Sequence, residues 1–229
     1  MARRISDRLL SLIAAALLTL AVVPSCEAQV NTGNAPGIDA AYFVTHAVEA
    51  FNNNTGRFQA LRLGLDDMAP LEPASLDTNQ IYEHLQSLLH YQQFLEAFRQ
   101  QNTTLLHKLS DSVDYLEARL GDSARWHALD NFWQDFKHQA SIFVEYSLKS
   151  SNYVLAIRSA LVFLQNAGFD VNDGIVHVHG GSDSQEQYAA LVNKARTAKT
   201  AMQEAYQTTI DDVKGSNELV KRVVDQLAR

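Results

Sequence analysis

Cysteine is almost missing from this chain. Cys26 is the one thiol in 229 residues, so no intrachain disulfide can form and the fold must be held by packing. Proline is scarce as well. There are four, the last at Pro73, and none follows it. Proline removes a helical donor and clashes with the preceding turn, so its absence from a long stretch rich in Ala, Leu, Gln and Glu leaves helices free to run. Clustered positive charge is also lacking. Nineteen Lys and Arg stand against 26 Asp and Glu, a net charge of −7. Nucleic-acid binding depends on neutralising phosphates with grouped cations, and this balance excludes it. Past the N-terminus there is no long apolar run. Tyr153 to Leu164 comes nearest, and Arg158 interrupts it. Catalytic signatures are missing too: no Gly-x-Ser-x-Gly, no glycine-rich phosphate cradle and no Cys-x-x-Cys-His for haem.

What is present begins with an export signal. Arg3, Arg4 and Arg8 precede the apolar stretch Leu9 to Val23, and Pro24 breaks it ahead of the small and polar Ser25-Cys26-Glu27-Ala28. That order of charge, apolar segment and small-residue site reads as a secretory signal peptide over residues 1–28. Two processing routes compete. Cleavage after Ala28 fits the small-x-small pattern Cys26-Glu27-Ala28 and is preferred. Alternatively, Val23-Pro24-Ser25-Cys26 resembles a bacterial lipobox, which would make Cys26 a lipidated N-terminus. The segment takes away three Arg and two acids (Asp7, Glu27), so residues 29–229 hold 16 basic and 24 acidic side chains and a net charge of −8.

Residues 29–37 read as a flexible leader and residues 38–229 as one helical domain. The expected fold class is all-α: an elongated antiparallel helical bundle with two or three very long helices and a short β-hairpin-like loop at one end. The first helix is expected from Asp39, as its N-cap, with a break or kink at Asn52-Asn53-Asn54-Thr55-Gly56. Asp77 followed by Gln80 marks the capped start of the second. Steps of four and three then run through Ile81, Leu85, Leu88, Gln92, Leu95, Arg99, Asn102, Leu106, Leu109, Val113, Leu116 and Leu120, a coiled-coil seam with a polar middle. Gly121 ends it, and Asp122 or Ser123 caps the third helix.

That helix has the cleaner seam: Trp126, Leu129, Trp133, Phe136, Ala140, Phe143, Ser147, Ser150, Val154, Ile157, Leu161 and Leu164. The aromatic stripe within it reads as core packing rather than a ligand wall. Gly168 is the expected stop. Phe169 to His179 then alternates around Asn172-Asp173-Gly174 as two short strands joined by an Asp-Gly turn. The fourth helix starts near Ser182 or Ser184 on a seam of Tyr188, Leu191, Ala195, Ala198, Met202 and Ala205, with a weak point at Gly215-Ser216-Asn217.

The one metal-like feature is His177-Val178-His179. Residues two apart in a strand share a face, so both imidazoles can reach one ion, with Asp170, Asp173 or Asp183 completing the site only if the fold brings them in; a solvated hairpin tip is the preferred reading. The other histidines (His46, His84, His90, His107, His127, His138) are scattered and lack the Glu-x-x-His repeat of a di-iron bundle. No cofactor is identified. Asn53-Asn54-Thr55 and Asn102-Thr103-Thr104 match the glycosylation sequon. Gln92, Arg99 and Asn102 are expected opposite Ser147 and Ser150, as buried polar groups that set register.

Together these features lead to an exported, non-enzymatic interaction or assembly protein of the bacterial cell envelope. It would work on protein partners, with no nucleic acid and with the membrane reached only through a lipid on Cys26. In architecture such a rod resembles minor pilus subunits of type IV secretion systems and periplasmic helical-hairpin adaptors and chaperones. The likeness lies in overall form, and no motif carries it. Two other classes stand behind it: a membrane-perturbing, α-pore-forming protein using Tyr153–Leu164 and the hairpin, and a periplasmic binder of metal or a small ligand at His177 and His179.

Overall fold

The computed structural model describes residues 36–67 and 70–228. Residues 1–28, expected as an export signal and including Cys26, and the expected leader up to residue 35 lie outside the described residues. Within them the chain is mostly helical. The order is α1 (Pro36–Asp67), a 3-10 turn (Pro73–Ser75), α2 (Thr78–Leu120), α3 (Ala124–Ala167), strands β1 (Phe169–Asn172) and β2 (Ile175–Val178), and α4 (Ser182–Ala228). No helix among these residues is long and apolar enough to cross a membrane.

The helix ends are set by local chemistry. Asp77 caps α2 by accepting from the N–H groups of Asn79 at 2.9 Å and Gln80 at 2.8 Å, which satisfies donors the first helical turn cannot use internally. Ser123 does the same for α3, accepting from Trp126 N at 3.2 Å. Gly121 and Gly168 close α2 and α3 at positive φ, each sending its N–H back to the helix it ends, to Glu117 O and Leu164 O at 3.0 Å.

Two local expectations fail in α1. The helix starts at Pro36, not at Asp39. Proline fits a first turn, where its missing N–H would be unpaired in any case. Asp39 is not a cap: it is buried and joined to Arg119 of α2 at 2.6 Å. Nor does the polar run 52–56 break the helix. Thr55 turns its hydroxyl inward onto Phe51 O at 3.0 Å and Asn52 O at 3.2 Å, so the segment satisfies itself without leaving the helix. The backbone of α4 likewise passes through residues 215–217 as helix.

The seams behave as their spacing requires. Eleven of the twelve α3 positions are buried and Trp126 is half-buried; on α2 none of the twelve is exposed. A second buried stripe on α3 carries Ala128, Phe132, Tyr146, Tyr153, Ala156 and Ala160. With two buried stripes α3 has neighbours on two sides. Toward α2, Gln92 meets Arg158 and Arg99 meets Ser151. Toward α4, Tyr146 meets Tyr206, with ring centres 5.5 Å apart, and His138 reaches Asp212 at 4.0 Å. In both cases one partner number falls as the other rises. Phe51 of α1 sets its ring edge against Phe136 and Phe143 at 5.2 and 5.3 Å, an arrangement aromatic quadrupoles favour.

Candidate functional site

Among the described residues, polar chemistry gathers at the hairpin between α3 and α4 and in the polar middle of the α2–α3 contact.

The hairpin is a two-residue turn. Asp173 and Gly174 both take positive φ, 53° and 74°, the conformation whose twist matches paired strands. The strands are antiparallel, with Phe169 opposite Val178, Asp170 opposite His177, Val171 opposite Val176 and Asn172 opposite Ile175. Alternation then sorts the faces. Val176 and Val178 are buried, while Ile175, His177 and His179 are exposed. Gln185, in the first turn of α4, holds the outer edge of β2: its amide donates to Val176 O at 3.0 Å and accepts from Val178 N at 2.9 Å. One side chain thus does the work of a third strand, satisfying edge groups that would otherwise lack partners.

His179 is held from two directions. Its N–H donates to Gly168 O at 2.9 Å, and its Nε2 lies 2.9 Å from Asp170 Oδ2. Gly168 suits this position, because its φ is positive and a Cβ would come within 2.7 Å of His179 Nδ1 and displace that ring. The structure therefore brings His179 to Asp170 directly and sets His177 beside that aspartate by register. Asp173 sits at the turn and Asp183 in the first turn of α4. Among the described residues no group of three or more His, Cys, Asp or Glu converges as a metal would need. What the face offers is an exposed imidazole–carboxylate pair with a second imidazole next to it.

The α2–α3 layer differs in detail from its expected pairing. Arg99 donates to Ser151, not to Ser147 or Ser150, at 3.0 Å, and also pairs with Glu96 one turn back. That guanidinium beside it holds the Glu96 carboxyl below the usual carboxylate range. Ser147 and Ser150 are buried and satisfy their own helix, through Val144 O at 2.8 Å and Tyr146 O at 2.9 Å. Asn102 is wholly buried, its amide 3.5 Å from Ala140 O and its Oδ1 without a partner. Burial also closes the Asn102 sequon in the folded chain, whereas Asn53 is exposed. Arg158 donates to Gln92 Oε1 at 3.4 Å.

Sequence reasoning missed Gln185 and the Asp39–Arg119 pair. Each is an ordinary polar residue near a helix start or end, and only the partner across the fold gives it a role. Among the histidines, His84 is pulled below its usual range by burial, opposed by Glu83, and its Nε2 has no partner. Burial pushes the Tyr188 hydroxyl up. A shallow depression between α3 and α4 is lined by Ile142, Glu145, Lys149, Ala201, Glu204 and Thr208. Comparison with known proteins finds no matching family model, no similar curated protein and no similar solved structure.

Proposed function

We propose that this chain is an exported, non-enzymatic interaction or assembly protein of the bacterial cell envelope, built as an elongated antiparallel bundle whose long helix faces bind protein partners. One observation carries the reading: α2, α3 and α4 are unbroken helices of 43, 44 and 47 residues. At the standard rise each would extend roughly 65–70 Å, far more side surface than a small core requires. The polar groups inside support it, since Arg99, Gln92, Asp39 and Gln185 bond to other elements of the fold and so serve cohesion. Most of Tyr153–Leu164 lies in the α3 core stripes, which supports a packing role for that run. The chain would be exported by its 1–28 signal and either released after Ala28 or anchored through Cys26. A photo-crosslinking amino acid placed at successive exposed positions of α2, α3 and α4 in the native host tests this. Discrete crosslinked species confined to one helical face are expected. A chain that crosslinks nowhere is not an assembly protein. Intact mass of the mature N-terminus separates a lipid on Cys26 from a chain beginning at Gln29.

The second reading, a periplasmic metal or small-ligand binder, draws on the exposed face shared by His177, His179 and Asp170. Zinc, copper and nickel titrations of the wild type and of His177→Ala/His179→Ala decide it. Identical isotherms remove the hairpin from metal chemistry.

A further inference from the structure

The C-terminal half of α3 has a face that the core does not use. Leu148, Leu155 and Val162 are 47%, 41% and 36% exposed. They recur every seven residues, the repeat at which one helix presents a line of side chains to another. Between them Asn152 and Ser159 are exposed and uncharged. From Tyr146 to Ala167 there is no Asp or Glu at all, in a chain that has 26. One cation sits on this face. Arg158 follows Leu155 by three residues and precedes Val162 by four, which puts all three on one side of the helix. It is half-buried, and its bond to Gln92 is to a neutral oxygen at 3.4 Å. A guanidinium has five donors suited to a carboxylate, and its own helix offers none nearby.

We propose that the Leu148–Leu155–Val162 face of α3 docks an acidic amphipathic helix of a partner protein, with partner apolar residues on the leucine line and a partner carboxylate on Arg158. The charge pattern selects this occupant over a second copy. Folding the face onto itself about Leu155 sets each Arg158 against the acid-free face of the other chain and leaves both without a carboxylate. The proposal rests on the interaction-protein reading and names the surface that reading requires.

The test uses two synthetic peptides of about three heptads, leucine at the seam positions and either glutamate or lysine flanking them, titrated against the mature chain by fluorescence anisotropy. The glutamate peptide is expected to bind at least about tenfold more tightly than the lysine peptide, and Arg158→Glu to reverse that order. Leu155→Asp removes binding of the glutamate peptide. Arg158→Gln, the milder change, loses the charge preference while helicity by circular dichroism stays that of the wild type. Absence of binding, equal binding of both peptides, or an unchanged preference in Arg158→Glu overturns the proposal. Self-association by sedimentation that Leu155→Asp abolishes also overturns it, in favour of a second copy. Crosslinks in the host at other faces but none at Leu148, Leu155 or Val162 sink this surface and leave the interaction reading standing. Crosslinks nowhere sink both.

Discussion

The Asp39–Arg119 pair gives the sharpest stability prediction. Asp39 Oδ2 lies 2.6 Å from Arg119 Nη1, with the aspartate side chain 4% exposed and the arginine 24%. The pair joins the first turns of α1 to the last turn of α2, and Arg119 also lies over the Tyr115 ring at 5.6 Å. Asp39→Ala removes the carboxylate that pairs with Arg119 across the α1–α2 contact. Breaking a fully buried pair from one side costs about 3–5 kcal/mol. Arg119 keeps a quarter of its surface and its contact with Tyr115, so solvent and the ring recover part of that, and about 2 kcal/mol is expected. In a domain of this size that is a fall of roughly 4–8 °C in Tm. Arg119→Met keeps the aliphatic contact with Tyr115 but strands the aspartate. Because that carboxylate is nearly inaccessible, this substitution should cost more than Asp39→Ala. The double substitution Asp39→Ala/Arg119→Met removes both charges and should be milder than either single change, since neither group is then buried alone. Urea unfolding of the four proteins closes a double-mutant cycle. Additive losses would refute the reasoning, because two independent surface charges behave that way. So would a loss under about 0.5 kcal/mol for Asp39→Ala, the usual value for a solvated pair.

Three further outcomes follow from other parts of the fold. Gly168→Ala combines positive φ with a Cβ 2.7 Å from His179 Nδ1; it should destabilise the hairpin by about 1–3 kcal/mol, seen as faster hydrogen exchange at the β1–β2 amides while the α2 amides are unchanged. Asn102→Leu exchanges a buried amide with one unpaired oxygen for a bulkier apolar side chain of the same branching, so thermal stability should stay equal or rise by up to about 2 kcal/mol; a loss of that size would mean that the added bulk overpacks the site or that the amide is better satisfied than its 3.5 Å contact implies. His84 has its folded pKa lowered from 6.5 by burial, so the unfolded chain takes up the proton first. Its contribution is complete above pH 6.5 and is lost as pH falls toward the folded value. His84→Gln should therefore flatten the decline in stability between about pH 7.5 and pH 5, and an identical slope in wild type and variant would remove His84 from that decline.

How much of this was readable beforehand varied with the range of the forces involved. Helix ends at Asp77, Ser123, Gly121 and Gly168 were legible because a cap is a contact between residues a few positions apart. The twelve-residue seams of α2 and α3 were legible because periodicity is a property of one helix. The Asp-Gly turn was legible since its two positive φ values restrict which residues can stand there. At 52–56 and at Asp39 local reasoning failed. Three asparagines and a glycine have poor helix propensity, yet Phe51 buries against Phe136 and Phe143, and that packing outweighs a weak local preference. Asp39 has the residue type of a cap, but an oppositely charged Arg119 eighty positions away claimed it.

The candidate site divides in the same way. Sequence alone placed His177 and His179 on one face of a strand, because alternation is built into the backbone. Only the folded register could put Asp170 rather than Asp173 or Asp183 against His179, and only the start of α4 could bring Gln185 to the edge of β2. The polar middle of α2 was likewise visible as an interruption of the seam, while its partners, Ser151 and Arg158 rather than Ser147 and Ser150, depended on how the two helices slid past each other. A sequence determines which side chains share a face. Which face meets which, and at what offset, is decided when distant helices bury their seams together, because that free energy belongs to the pair and to neither helix alone.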